Sequence, residues 1–149
     1  MDANLITKTC KETPSYDLCD SSPQLDPWSF DADVKGLALL MVDVVKAKAT
    51  NTVNHINDLL KQTSGAQPLS SCLDVYNVVI QAKVPKASEA LSKGDPKFAE
   101  QGMNDVGLGA DLCENSFSGS SSPLTYLNKT VRDVADVASA IVQHFDMHM

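Results

Sequence analysis

Apolar residues recur every three or four positions along four stretches of the chain, with polar residues between them. This spacing places the apolar side chains on one face of a helix, as in helices that pack against one another. It predicts four helices, at residues 31–61, 69–93, 96–117 and 123–148. The last stretch is the most regular, because its apolar steps alternate between three and four: Leu124, Leu127, Val131, Val134, Ala138, Ile141 and Phe145.

The first three stretches each contain residues that weaken the pattern. Lys48 and Thr52 interrupt the first apolar stripe. Pro85 lies inside the second stretch, where it removes one backbone hydrogen bond and predicts a kink one turn upstream. Glycines lower the helix propensity of the third stretch by about 1 kcal/mol each relative to alanine. We expect these glycines to permit close helix packing: Gly102, Gly107 and Gly109.

Short segments that contain glycine, proline or serine connect the stretches, at residues 65–68, 94–96 and 118–123. Because short connections join antiparallel neighbours, the predicted fold is all-α, an antiparallel up-down-up-down four-helix bundle. We assign the bundle to residues 31–149. Residues 1–30 contain three prolines and cannot form one long helix, so we expect a helical hairpin arm there, within a single domain.

Composition and charge narrow the class of protein. Of the 149 residues, 43% are hydrophobic and only 5% aromatic, which favours an aliphatic core between helices. The net charge of −7 argues against a nucleic-acid partner, because phosphate binding needs clustered Lys and Arg. No apolar run approaches the length of a membrane span, and residues 1–4 show no signal peptide. We therefore expect a cytosolic protein or a mature secreted protein without its leader.

The four cysteines favour the secreted alternative. Their number is even and none belongs to a Cys-x-x-Cys pair, which indicates disulfides rather than a zinc site. Cys72 and Cys113 lie about 20 residues before and after the turn at 94–96, at similar heights on adjacent antiparallel helices. Of the three connectivities that four cysteines allow, we expect Cys72–Cys113 together with Cys10–Cys19, which closes the N-terminal arm.

Candidate catalytic and metal-binding groups are sparse. His144 and His148 are spaced to share a helix face, but no Glu-x-x-His motif accompanies them, so we expect no metal and no cofactor. The serine-rich segment 118–122 lacks the Gly-x-Ser-x-Gly elbow of a nucleophile. We therefore predict that the chain is not an enzyme. Asn128 begins an Asn-Lys-Thr sequon, a candidate glycosylation site that lies beside the apolar Leu127.

The sequence Ser-Lys-Gly-Asp-Pro-Lys-Phe, between the second and third stretches, contains the signals of one helix ending and another beginning. Gly94 suits a left-handed cap, Asp95 an N-cap, and Pro96 the first helical position. Lys97 and Phe98 then lie on the first turn, at the end of a helix hairpin, where a side chain can protrude. The two lysines make this a small basic segment on an acidic chain.

This segment resembles the Pro-Lys-Phe loop of plant invertase inhibitors, in the invertase/pectin methylesterase inhibitor family. The resemblance extends over nearly the whole chain, including Thr-Cys-Lys-Glu-Thr-Pro near the N-terminus, the run Ala-Leu-Leu-Met-Val-Asp-Val-Val-Lys-Ala-Lys-Ala and the placing of all four cysteines. It implies the same fold and disulfide pairing, and the inhibition of a plant acid invertase. It also implies that Lys97 faces the carboxylates of the sucrose pocket and that Phe98 anchors at its rim. Pro96 would fix the loop, while Asp95 would cap the helix and contact the target.

Two alternatives stay open. Pectin methylesterase inhibitors resemble this chain in fold and cysteine placement, and that resemblance implies binding through helix faces rather than through the Pro-Lys-Phe segment. A bundle that carries a small ligand would need an interior cavity beside the glycines of the third helix. For the favoured interpretation we expect secretion to the apoplast or cell wall, or alternatively a vacuolar location. An acid invertase is then the partner, with no membrane, nucleic acid or small-molecule substrate.

Overall fold

A computed structural model of the chain describes residues 34–63, 66–118 and 121–147, which are almost entirely helical. Helical structure is continuous over residues 67–93, so its three segments form one helix of the bundle. The fold is the predicted all-α four-helix bundle, and no strand occurs in these ranges. The elements are α1 Val34–Gln62, α2 Gln67–Val78, the π-helical turn Val79–Lys83, α3 Val84–Lys93, α4 Pro96–Asn115 and α5 Thr125–Met147.

Side-chain pairs show that α4 and α5 run antiparallel. In the first half of α4, Asn104 accepts a hydrogen bond of 2.7 Å from the hydroxyl of Ser139, in the second half of α5. Near the end of α4, Glu114 accepts a hydrogen bond of 2.8 Å from the amide of Asn128, in the first turn of α5. The partners therefore change in opposite directions along the two helices.

The helix that ends at Lys93 has α1 on one side and α4 on the other. Lys35, at the start of α1, donates a hydrogen bond of 3.3 Å to the carbonyl of Ser92. Lys83 forms an ion pair of 3.1 Å with Asp105 of α4. Because α1 also packs against α5, each helix lies beside its neighbours in sequence and the first lies beside the last. This is the up-down-up-down arrangement.

The core between the helices is mostly aliphatic, and its two aromatic members among the described residues are Tyr76 and Phe117. Burying one large apolar side chain, such as leucine or methionine, stabilises the fold by about 1.5–3 kcal/mol, before the entropy of ordering it is subtracted. The largest fully buried side chains come from every helix of the bundle and, for Leu124, from the turn before α5: Leu37, Met41, Ile56, Tyr76, Leu91, Met103, Leu124 and Ile141.

The predicted interruption of the first apolar stripe at Thr52 was wrong. Thr52 is fully buried, and its hydroxyl donates a hydrogen bond of 2.9 Å to the carbonyl of Lys48. A threonine can satisfy its hydroxyl within its own helix in this way and still present its methyl group to the core. The stripe therefore continues through Thr52, whereas Lys48 is exposed.

The distortion predicted upstream of Pro85 is the π-helical turn. The N–H of Val84 donates to the carbonyl of Val79, five residues back. Proline has no N–H, and in a regular helix its ring presses on the carbonyl four residues earlier, so a locally widened turn accommodates it. As a result, the consecutive buried positions Val79 and Val84 are separated by five residues rather than by three or four.

The glycines of α4 permit close helix packing, as expected. A Cβ atom at Gly109 would lie 3.0 Å from Cγ1 of Val75 on α2, which is tighter than ordinary van der Waals contact. At Gly107 a Cβ atom would lie 3.6 Å from Oδ1 of Asp136 on α5. Side chains of α2 and α5 therefore occupy the space beside these two glycines, where the ligand-carrier alternative requires a cavity.

Three helix ends differ by two residues from their predicted positions. Helix α2 begins at Gln67 rather than at 69. Helix α4 ends at Asn115 rather than near residue 117, and the hydroxyl of Ser116 donates a hydrogen bond of 2.6 Å to the carbonyl of Cys113. Helix α5 begins at Thr125 rather than at 123. The hydroxyl of Ser122 accepts a hydrogen bond of 3.0 Å from the N–H of Leu124 and holds that residue in a turn before the helix.

The N-terminal arm predicted at residues 1–30 lies outside the described residues, together with its Cys10–Cys19 bridge. The division of the chain into an arm and a bundle therefore stays a prediction. So does the conformation of His148, which follows the last described residue.

Candidate functional site

A left-handed glycine closes α3. Gly94 has a φ angle of 82°, and its N–H donates a hydrogen bond of 3.3 Å to the carbonyl of Leu91. The N–H of Asp95 donates a hydrogen bond of 2.8 Å to the carbonyl of Ala90. This pair of bonds is the Schellman motif, which satisfies carbonyl groups that the helix end would otherwise leave without donors.

The next two residues begin α4. The carboxylate of Asp95 accepts a hydrogen bond of 3.3 Å from the N–H of Phe98, and Pro96 occupies the first helical turn, where its missing N–H has no partner to lose. Pro96 is also buried. The backbone of this tip, defined here as residues 95–98, is therefore fixed on both sides by helix caps.

The two side chains that follow point away from the core. Lys97 is exposed and forms no ion pair or hydrogen bond with any described residue. Phe98 is 48% exposed, and its ring lies between a groove of about 390 Å³ beside Lys86 and Lys93 and a smaller one of about 130 Å³ beside Gly102. The tip thus presents a free cation next to an accessible aromatic ring.

Lysines from two further elements extend the positive charge around the tip. Lys86 lines the same groove as Phe98, and Lys35 of α1 reaches the carbonyl of Ser92 beside the hairpin. Helical spacing from Lys93 to Lys86 could have indicated the first of these. Lys35 is distant in sequence, so the amino-acid pattern contained no signal for it.

Lys93, which lines the groove beside Phe98, is already paired. A hydrogen bond from Lys93 to Glu89, together with the attraction between their charges, raises the pKa of the lysine and lowers the pKa of the carboxyl. Both side chains are exposed, so the pair contributes little to the stability of the fold. Lys97 differs because its charge is not neutralised by any described neighbour.

At the opposite end of the bundle, the predicted bridge between Cys72 and Cys113 is confirmed. The two sulfur atoms are bonded, and the Cα atoms are 4.8 Å apart. This separation is within the usual range for a disulfide. The bridge joins α2 to α4 near the ends of these helices that lie far from the tip.

A buried polar network lies one turn from the disulfide, and the sequence pattern did not indicate it. Tyr76 is fully buried, and its hydroxyl donates a hydrogen bond of 2.6 Å to the side-chain carbonyl of Asn128. The amide nitrogen of Asn128 donates in turn to Glu114, which also accepts from the hydroxyl of Thr125. We call Tyr76, Asn128 and Glu114 the polar network.

The network changes the titration of its members. Burial, followed by the charges of Glu114 and Asp111, raises the pKa of the Tyr76 hydroxyl. Burial alone would also raise the pKa of Glu114, but hydrogen bonds from Thr125, Asn128 and Ser122 outweigh it and hold this pKa below its ordinary value. Glu114 therefore stays ionised and accepts these bonds under mildly acidic conditions.

The candidate glycosylation site falls within this network. Asn128 is only 3% exposed, and its amide nitrogen is bonded to Glu114. Attachment of a glycan to that nitrogen would require modification before α5 packs against α4. Glycosylation of Asn128 stays a prediction.

Two further features of the described residues bear on function. No group of three or more His, Cys, Asp or Glu side chains in these ranges is arranged to hold a metal ion. None of their helices combines the length and the apolar character that a membrane crossing requires.

Comparison with known proteins places the chain in a family. A model of the family described as plant invertase/pectin methylesterase inhibitor matches residues 4–141. The chain belongs to this family. The resemblance of its sequence motifs to the family is thereby confirmed, and the family consists of inhibitor proteins rather than enzymes.

Two relatives within the family have different named targets. The chain is 43% identical over 141 residues to cell wall / vacuolar inhibitor of fructosidase 1 from Arabidopsis thaliana, covering 94% of this chain and 68% of that protein. It is 27% identical over 144 residues to a pectinesterase inhibitor from Actinidia deliciosa, covering 93% of this chain and 77% of that protein.

A solved structure has the same fold. A mutant form of a pectin methylesterase inhibitor from Arabidopsis superimposes with a TM-score of 0.75, over 93% of this chain and 95% of that one. The sequence identity is 21%, so this likeness concerns the fold alone.

Proposed function

We propose that this protein inhibits a plant acid invertase and that the tip blocks the sucrose pocket of the enzyme. The carrying observation is Lys97, an exposed cation without a partner among the described residues, on a backbone held by the caps at Gly94 and Asp95. The similarity to an inhibitor of fructosidase supports this target class.

The chemistry of the target suits a lysine. Many glycosidases use a pair of Asp or Glu residues on either side of the bond that they cleave, so their pockets are negatively charged. Lys97 can pair with these carboxylates without first breaking an ion pair to any residue that the structure describes. Because the tip backbone is already fixed, little conformational entropy is lost when the complex forms.

Phe98 supplies the apolar part of the contact. Its ring is about half exposed, and Phe98 directly follows Lys97 in the first turn of α4, which suits a target with carboxylates inside its pocket and an apolar rim. Aromatic side chains at the centre of an interface commonly contribute much of its affinity. Pro96 would fix the backbone of the loop, and Asp95 would contact the target while capping α4.

Inhibition assays of tip variants test this function. We expect Lys97→Glu to weaken inhibition of an acid invertase by about a hundredfold or more, because it places a carboxylate against carboxylates. Phe98→Ala should weaken it by at least about tenfold. Lys46→Glu is the matched control, since Lys46 is an exposed lysine in the middle of α1. If both tip variants inhibit as well as the parent protein, the tip is not the binding element.

A second candidate function is inhibition of a pectin methylesterase through a helix face. The observation that favours it is an apolar surface on the outside of α2 and α4, where Val78, Leu108 and Leu112 are 52%, 62% and 64% exposed. Assaying the parent protein against both enzymes distinguishes the two targets. Leu112→Ser should weaken inhibition only if the helix face binds, and Lys97→Glu only if the tip does.

The proposed target implies a secreted protein in the apoplast or cell wall, or in the vacuole. The disulfide supports this proposal, because such bridges persist in oxidising compartments. Fractionation of plant tissue, with an antibody against the native protein, tests it. Recovery in the cytosol alone would contradict it.

A further inference from the structure

A polar groove lies between α1 and the start of α5. Four polar side chains of α1 line it, spaced three, four and seven residues from the first, so that they share one face of the helix: Asn51, Asn54, His55 and Asp58. Pro123, Tyr126 and Leu127 form the opposite wall. The volume of this α1–α5 groove is about 400 Å³, which is within the range of small-molecule sites.

The polar groups of the groove are unpaired within the part of the chain that the structure describes. None of the four α1 side chains forms a hydrogen bond or an ion pair with another described residue. In other places among the described residues, polar side chains at the surface pair across helices, as Ser139 does with Asn104. Two amides, an imidazole and a carboxylate together offer both donors and acceptors on planar groups.

The opposite wall provides an exposed aromatic face. Tyr126 is 78% exposed, the largest value among the large apolar or aromatic side chains of the described residues, and Leu127 is half-buried beside it. An aromatic ring packs against the C–H groups of a flat, partly apolar ring, while planar polar side chains bind vicinal hydroxyl groups. This combination matches one chemical class of ligand.

We propose that the α1–α5 groove binds a neutral sugar unit, stacked on Tyr126 and hydrogen-bonded to the amide and carboxylate groups of Asn51, Asn54 and Asp58. A uronic acid fits less well, because the carboxylate of Asp58 and the net charge of −7 repel it. A metal ion fits less well too, since His55 and Asp58 supply only two of the ligands that such an ion takes.

This site is separate from the tip. Lys35 lies at the tip end of α1, and Asn51 follows it by 16 residues, or about 24 Å along the helix. The proposal of sugar binding in this groove therefore does not depend on the proposed inhibition of invertase. Either proposal can fail without affecting the other.

Titration of the full, disulfide-bonded protein with methyl glucoside and with sucrose tests the site, with backbone amide NMR shifts as the readout. We expect saturable shifts confined to residues of the groove, with a dissociation constant of about 1–10 mM. Tyr126→Ala should weaken binding by about fivefold or more, whereas Tyr126→Phe, which keeps the ring, should retain it within about twofold. Leu108→Ala is the matched control, because Leu108 is also exposed but lies on α4, away from the groove.

Three results would overturn the proposal. The first is the absence of saturable shifts for both sugars, and the second is equal loss of binding in Tyr126→Ala and Leu108→Ala. The third is tighter binding of galacturonate oligomers than of neutral sugars, because it would exclude a neutral ligand. Lys97→Glu should bind sugar as the parent does, which separates this test from the inhibition assay. A neutral glucan oligomer that binds more tightly than sucrose would identify a polysaccharide as the source of the sugar unit.

Discussion

The two ends of the bundle are built from different interactions. At the tip, hydrogen bonds of the backbone and one capping carboxylate hold residues 95–98, and the side chains of Lys97 and Phe98 face outward. At the other end, a disulfide and the polar network join α2, α4 and α5 through buried side chains. Cys113 follows Asp95 by 18 residues, or about 27 Å along α4.

This difference suggests that stability and target binding can vary independently. Changes at the disulfide end remove interactions between helices, which the folded state needs. Changes at the tip alter groups that have few contacts within the protein. Each of the following variants tests whether the two ends are separate in this way.

Loss of the disulfide should have the largest effect on stability. The Cys72–Cys113 bridge closes a loop with a sequence separation of 41, and a loop of this size contributes about 3–4 kcal/mol in the chain-entropy model. We expect Cys72→Ser combined with Cys113→Ser to lower the free energy of unfolding by that amount, as measured by urea denaturation. The fraction that stays folded should inhibit normally. Unchanged stability would contradict the assignment of the bridge as a major stabilising element.

Disruption of the polar network should cause the second-largest loss of stability. Asn128→Ala leaves the buried hydroxyl of Tyr76 without its acceptor and should cost about 2 kcal/mol of folding free energy. The matched control is Asn104→Ala, which removes an exposed side-chain bond between α4 and α5 and should cost only a few tenths of a kcal/mol. Equal losses of folding free energy in the two variants would show that burial of the network adds nothing to stability.

The left-handed cap at Gly94 should contribute less to stability than the disulfide or the polar network. Gly94→Ala forces alanine into a left-handed conformation with a φ angle of 82°, and should cost about 1–2 kcal/mol although no neighbour lies within 4 Å of the added Cβ atom. Gly102→Ala is a control of opposite sign. Its Cβ atom would lie 3.8 Å from Ala87, an ordinary contact, so the higher helix propensity of alanine should stabilise α4 by up to about 1 kcal/mol. Thermal denaturation of both variants checks these signs.

Acid should destabilise the disulfide end more than the tip. Because the pKa of Glu114 is lowered in the folded state, its stabilising contribution is complete above its ordinary pKa of 4.5 and is lost as the pH falls through the lower, folded value. Glu114→Gln should therefore reduce the loss of stability between pH 6 and about pH 3. Glu89→Gln is the comparison at the tip end, where the exposed pair with Lys93 is screened by solvent and its removal should have a smaller effect.

The tip side chains should have the smallest effect on stability. We expect Lys97→Glu and Phe98→Ala to change the free energy of unfolding by no more than a few tenths of a kcal/mol, because both side chains are exposed. Denaturation curves of these variants, measured on the same samples as the inhibition assays, check this. A loss of stability in proportion to the loss of inhibition would mean that the tip acts through the fold rather than through contact with the target.

Regular features of the fold could be predicted from local sequence. Gly94 and Pro96 mark the hairpin because left-handed backbone and a missing N–H have strict local requirements. Once that turn was placed, Cys72 and Cys113 fell at similar heights on adjacent helices, and helical rise alone predicted their bridge. Caps, which are encoded by neighbours in sequence, placed residues 95–98 at the hairpin, whereas their predicted role in binding came from the resemblance to plant invertase inhibitors.

Features that depend on contacts formed only in the folded protein could not be predicted in this way. Thr52 looked like a break in the stripe because its hydroxyl bond to Lys48 forms only within the completed helix. Tyr76 and Asn128 lie on different helices, and nothing in either local sequence specifies that they meet. The arrival of Lys35 beside the tip likewise follows from the packing of α1 against α3.

The π-helical turn Val79–Lys83 has a consequence for how the length of this chain can vary. In a regular α-helix, one inserted residue rotates all the side chains that follow it by about 100°. Such an insertion before the tip would turn the tip in another direction. Here, deletion of one residue from the turn, with Pro85 replaced by alanine, would shorten the step between the buried valines from five residues to four and keep Leu91 in the core. Between the disulfide and the tip, this turn is therefore a place where the chain can be shortened by one residue without changing the direction in which Lys97 points.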